Sequence, residues 1–181
     1  MTRASQLEAE DFGPNEKLPQ FGLCAEYFET SPRQEIREQA LRLSKSADPL
    51  SVWRGLAQHW GSWDFINHDG WKPIFKRARH AWTSDVFSDK QRAMYDALPD
   101  NITLFRGSDA KLRNSHRRLS WTLDFEIAAW FARRTNLCGG KGVVYKGLLN
   151  KDEIALCFPG REQEVVPFSA LVIKDIETVA F

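Results

Sequence analysis

The sequence predicts an α+β fold, a mainly antiparallel β core preceded by a helical subdomain. Three observations carry this. Apolar residues recur at helical spacing up to Pro99, the period changes after Asp100, and the rest of the chain is rich in short β-type runs divided by turn residues. The expected division is residues 1–100 for the N-terminal helical subdomain and 101–181 for the β core, together one compact domain, which 181 residues allow.

The elements follow in order. Residues up to about Thr30 mix Gly, Pro and scattered charge and read as an irregular lead. Ser31-Pro32-Arg33-Gln34 is a capping box with proline at the first helical position, and Ile36, Ala40 and Leu43 then share a face. Asp48-Pro49 opens a second helix with Trp53, Leu56, Ala57 and Trp60 on its stripe and Gly61 as its stop. A third places Trp71, Ile74, Phe75, Ala78 and Trp82 together. Ser88-Asp89-Lys90-Gln91 caps a fourth, which carries Met94, Tyr95 and Leu98 and closes at Pro99. Ile102–Phe105 reads as a strand. Residues 123–134 read as a helix with Leu123, Ile127, Trp130 and Phe131 inward and Asp124 and Glu126 in the first turn. After the Gly139–Gly142 turn, strands are expected at Val143–Leu149, Ile154–Phe158, Glu164–Phe168 and Leu171–Val179.

Composition narrows the function classes. No stretch is long and apolar enough to span a bilayer, and the N-terminus leads into acidic residues rather than an apolar run, so a cytoplasmic protein with no membrane partner is expected. Cys24, Cys138 and Cys157 fit free thiols in a reducing compartment, and neither they nor the four histidines show metal-ligand spacing; no metal is expected. A net charge of +1 does not mark a strongly basic nucleic-acid binder, which leaves local patches open.

Three short elements stand in a fixed order: Arg106-Gly107 at the end of a strand-like run, Ser120-Trp121-Thr122 running into a helix, and Glu162-Gln163-Glu164 opening another strand. In that order they resemble the Arg / Ser-x-Thr / Glu-x-Glu signature of the ADP-ribosyltransferases of the arginine-serine-glutamate, cholera-toxin-like class. The resemblance covers roughly residues 100–181. It implies NAD+ as substrate, an ADP-ribosyltransferase-like core, no Rossmann motif, and transfer of ADP-ribose to a macromolecular acceptor. It makes Glu164 the catalytic glutamate and Glu162 the carboxylate facing the acceptor. Arg106, Gly107, Ser120, Trp121 and Thr122 fall on the NAD+ side. A small enzyme of this kind is similar to toxins of toxin–antitoxin or phage-defence systems and to phage effectors, which brings an antitoxin protein among the expected partners. The alternatives are an NAD glycohydrolase and a catalytically inactive binding module of the same fold.

The chemistry explains the residue types. Breaking the nicotinamide–ribose bond leaves an oxocarbenium-like sugar, which a nearby carboxylate stabilises. An arginine holds pyrophosphate in bidentate fashion. A second carboxylate deprotonates or orients the acceptor. On a strand, residues two apart face the same way, so Glu162 and Glu164 would share a cleft. Each element also has a plain structural reading. The plain reading of the Glu-x-Glu pair is a solvated strand face, that of Arg106 half of a salt bridge, that of Thr122 a helix N-cap, and that of Trp121 a core residue. The basic loop Lys111–Arg118, with Arg113, Arg117 and Arg118, is either a solvated loop or a contact for NAD+ phosphates or an RNA or DNA acceptor. The acceptor therefore stays open between protein arginine and nucleic acid.

Overall fold

The fold was analysed in a computed structural model, which describes residues 42–43, 45–62 and 68–181. The irregular lead and the Ser31 capping box lie outside the described residues. All described residues belong to one compact unit, Ile36–Phe181. It is α+β: four α-helices and one six-stranded sheet among the described residues.

Helix α1, Pro49–His59, starts where the sequence indicates. The Asp48 side chain accepts from the backbone N–H groups of Leu50 at 3.1 Å and Ser51 at 3.2 Å, and Pro49 follows it. Val52, Trp53, Leu56 and Ala57 are its buried stripe, and the chain tightens into a 3-10 turn, Trp60–Ser62. Helix α2, His68–Ala78, buries Trp71, Phe75 and Ala78. Trp82 lies beyond it in extended backbone, because a 3-10 turn over Arg79–Ala81 redirects the chain; its indole donates to the Ala155 carbonyl at 2.8 Å. Helix α3, Asp89–Ala97, has the expected capping box between Ser88 and Gln91. Gln91 also donates from Nε2 to the Ala57 carbonyl at 2.9 Å, a buried polar group with its partner supplied.

The sheet contains β1 (Asn101–Asp109), β2 (Trp121–Thr122), β3 (Gly142–Asn150), β4 (Ile154–Phe158), β5 (Glu164–Pro167) and β6 (Lys174–Val179), in the order β4-β5-β2-β1-β3-β6. Every neighbouring pair is antiparallel. β1 runs four residues past the expected Phe105, since its full-length pairing with β3 reaches Asp109↔Gly142. Arg106 is therefore mid-strand, not at a strand end. β6 starts later than expected because Ala170–Val172 forms a 3-10 turn.

Helices α1–α3 and one sheet face share a core that includes Trp53, Trp60, Phe75, Leu104, Leu156 and Val165. The other face carries helix α4, Phe125–Leu137, capped by Asp124. Its buried residues are Ala128, Ala129 and Ala132, whereas Trp130, expected inward, is exposed. Close approach is the reason. A Cβ on Gly107 would stand 1.9 Å from the Ala128 carbonyl oxygen, and one on Gly142 would stand 2.1 Å from that of Ala132. Only small side chains fit between α4 and the two strands, so large ones rotate outward. Gly107 therefore admits a helix, not a ligand. Gly107→Ala is expected to destabilise the fold by about 1–3 kcal/mol through overpacking against backbone that cannot yield, read as a lowered denaturation midpoint. No described helix is long and apolar enough to cross a membrane.

Candidate active site

Alternation along β1 decides where Arg106 points. Ile102 and Leu104 face the helical core, so Arg106, two residues on, enters the same side. Its guanidinium meets backbone oxygens there: Nε donates to the Ser115 carbonyl at 3.1 Å and Nη1 donates to the Ser120 carbonyl. Burial lowers its pKa to about 10, Arg118 adding to the effect, with Glu164 and Tyr145 opposing. Arg106 still carries its charge near neutral pH. Because the β1–β2 loop supplies both acceptors, the same bonds that hold the arginine also shape the loop.

Glu164 opens β5, paired across the sheet with Thr122 on one side and Phe158 on the other. Its Oε1 accepts from the Trp60 indole Nε1 at 3.0 Å. Burial pushes its pKa up; the Ser120 hydroxyl and Trp60 indole pull it down, Glu162 raises it, and Arg106 lowers it. The Ser120 Oγ lies beside this carboxyl and favours its ionised form, yet it is buried and meets hydrogen-bond geometry with no described residue. This hydroxyl and a carboxyl raised by desolvation form a polar cluster beside an apolar core, and perturbed groups of this kind concentrate at functional sites.

The remaining expected site residues separate. Glu162 is exposed and sits in a turn before β5, and Gln163 has a φ of 42°. Strand alternation therefore does not align the two carboxylates; a turn brings Glu162 near enough for its charge to be felt at Glu164. Thr122 is buried, donates to the Glu162 carbonyl and accepts from the Asp124 N–H at 3.0 Å, so its hydroxyl secures the turn and the start of α4. Trp121 is a core residue, 2% exposed, with its indole on the Arg118 carbonyl at 2.9 Å; it offers no free ring face for stacking. Arg113 and Arg117 are exposed on the loop, and Arg118 pairs with Asp69 at 2.9 Å.

Two residues join the site that sequence reasoning had not assigned to it. Trp60 had the signature of a core helix residue, and its polar partner lies 104 residues away. His68 begins α2, its ring 6.3 Å from that of Trp60, and its Nδ1 accepts from the Leu119 N–H at 3.2 Å. Burial lowers its pKa to about 3, reinforced by Arg106, Arg118 and Lys72 and opposed by Asp69, so the ring is neutral at physiological pH. No local pattern distinguishes this histidine from the other three. Among the described residues no cluster of acids, cysteines and histidines could hold a metal ion. Cys157 is buried, its thiol pushed up to about 12 chiefly by burial, which makes it a poor nucleophile.

The cluster thus unites an arginine from β1, a hydroxyl from the loop and a carboxylate from β5, with the Trp60 indole on the carboxylate and the His68 ring beside Trp60. Compared with known proteins, the chain matches no family model, no curated protein and no solved structure.

Proposed function

We propose that this protein transfers ADP-ribose from NAD+ to a macromolecular acceptor, through an ADP-ribosyltransferase-like core. The observation that carries the reading is the meeting of Arg106, Ser120 and Glu164, distant in sequence, around one desolvated carboxyl. In a packed core such a group is costly unless something else uses it.

Glu164 supplies the negative charge that stabilises the ribosyl cation as the bond to nicotinamide breaks and its electron pair departs with the now neutral ring. A low-dielectric setting strengthens that stabilisation. Arg106 supplies fixed positive charge for the pyrophosphate, with its position set by the two loop carbonyls. Ser120 has a hydroxyl available to orient either Glu164 or a ribose hydroxyl. Glu162, exposed beside the carboxyl, accepts the proton that the acceptor loses as its new bond to the ribose forms. The setting proposed is cytoplasmic, in the manner of a toxin with its antitoxin or a phage effector; it follows from the motif resemblance alone.

The test is NAD+ consumption by the purified protein together with recovery of ADP-ribose label in macromolecules from a cell lysate. Consumption without label assigns an NAD glycohydrolase, and neither assigns an inactive binding module. Glu162→Gln is expected to keep NAD+ hydrolysis largely intact while label transfer drops by about tenfold or more, the range of one general-base contribution. Equal loss in both assays would remove the acceptor-facing role from Glu162.

A further inference from the structure

Two basic stretches that are separate in sequence meet in space. Lys72, Lys76 and Arg79 lie on or just after α2, and Arg113, Arg117 and Arg118 lie on the β1–β2 loop; all six line one open groove of about 750 Å³. Among the described residues only one carboxylate, Asp69, lines it with them, and it is already held by Lys72 at 2.7 Å and Arg118 at 2.9 Å. Arg79 forks onto Glu153 with both contacts at 3.0 Å. Lys76, Arg113 and Arg117 are exposed and form no ion pair with any described residue. The whole chain carries only +1, so this groove is far more basic than the chain's average. Unpaired like charges held along one concave wall repel one another and raise the local concentration of anions.

From this juxtaposition we infer that the groove between α2 and the β1–β2 loop binds the phosphate backbone of a nucleic acid. Arginine forks match phosphate oxygens, and three of them come from one loop. The number of cations exceeds what the two phosphates of a dinucleotide neutralise, so an extended polyanion fits better than NAD+. Among the described residues Phe75 and Phe168 form a buried floor and no exposed aromatic ring lines the groove, so the anchor they offer is phosphate contact and not base stacking. Binding is therefore through phosphates and tolerant of sequence. Arg118 belongs both to this groove and to the surroundings of Arg106 and His68, so the bound strand runs alongside the buried cluster. The inference stands whether or not the cluster turns over NAD+. If it does, nucleic acid becomes the favoured acceptor.

Fluorescence anisotropy with labelled single-stranded RNA, single-stranded DNA and duplex DNA, without NAD+, reads the binding directly. Log affinity is expected to fall linearly with log salt, by about 0.7 for each phosphate contact on a single strand and about 0.9 on a duplex. The triple variant Lys76→Ala, Arg113→Ala, Arg117→Ala should reduce that slope by about 2 to 3 and weaken binding at low salt on the order of tenfold or more. These side chains are exposed and unpaired, so its melting temperature should match the parent's. A charge-matched control, Lys90→Ala, Arg133→Ala, Lys174→Ala, away from the groove, should bind like the parent. Which of the three probes binds best identifies the nucleic acid. Absence of binding to all three at low salt overturns the inference. So do equal losses in the two triple variants, polyglutamate competing as well as the oligonucleotides, or displacement of the probe by NAD+ alone.

Discussion

Glu164→Gln is expected to abolish NAD+ consumption and, at neutral pH, to make the folded protein more stable. The kinetic half follows from charge. The substitution keeps size and an oxygen able to accept from the Trp60 indole, which now bonds Oε1 at 3.0 Å, but removes the anion that the proposed mechanism sets against the ribosyl cation. A loss on the order of a thousandfold fits the removal of a dominant electrostatic contribution. The stability half follows from linkage. Burial raises the folded pKa of Glu164 above its ordinary 4.5. Below 4.5 the carboxyl is protonated in both folded and unfolded chains and costs nothing; as pH rises toward the folded pKa, the unfolded state ionises first and folding is penalised. Glutamine escapes that penalty. The loss of attraction to Arg106 opposes the gain, but it is the weakest of the influences on this carboxyl. The variant should melt higher at pH 7, by about 2–4 °C for each kcal/mol in a chain of this size, with the difference closing below pH 4.5. Near-parent turnover in a folded variant would defeat the catalytic assignment. A lower melting temperature at pH 7 would show that Glu164 is a structural partner.

His68 governs the second large effect, the acid sensitivity of the fold. Its folded pKa is about 3 against an ordinary 6.5. The unfolded chain therefore takes up a proton as pH falls through 6.5 while the folded ring refuses it. The stability His68 contributes is complete above 6.5 and drains away toward pH 3, at up to about 1.4 kcal/mol per pH unit. Geometry agrees with the sign: Nδ1 is an acceptor for the Leu119 N–H, and the cations Arg106, Arg118 and Lys72 repel a second positive charge more than Asp69 attracts it. His68→Asn keeps an acceptor oxygen near the Nδ1 position and has no proton to gain. Urea midpoints measured from pH 7 down to about 4 should fall much less steeply in the variant than in the parent. Parallel acid limbs would place the sensitivity elsewhere.

The outcome at individual residues divides along a physical line. Features carried by a few adjacent residues were legible in the sequence. Asp48-Pro49 and the Ser88–Gln91 box mark helix starts because capping is a contact across three residues. The change of period after Asp100 marks the passage to strands, and with it the α+β class. Arg106, Ser120 and Glu164 were singled out by type and order, and they do converge. The basic loop Lys111–Arg118 was also plain to see as a run.

What packs against what was not legible, because it depends on contacts between segments that local pattern does not encode. The alternation of Leu123, Ile127 and Trp130 was a fair guide to an apolar stripe, yet α4 buries its alanines, since Gly107 and Gly142 bring the strands too close for anything larger. Trp121 and Thr122 sit within the motif but serve the core and the turn. Glu162 left the strand because Gln163 takes a left-handed backbone. By itself, then, the sequence determined the helix starts, the strand-rich second half and the chemical types available to a site. Only the tertiary structure decided that the Trp60 indole meets Glu164, that His68 is buried beside Trp60 and that two basic segments form one groove, because burial and desolvation arise only when distant segments exclude water together.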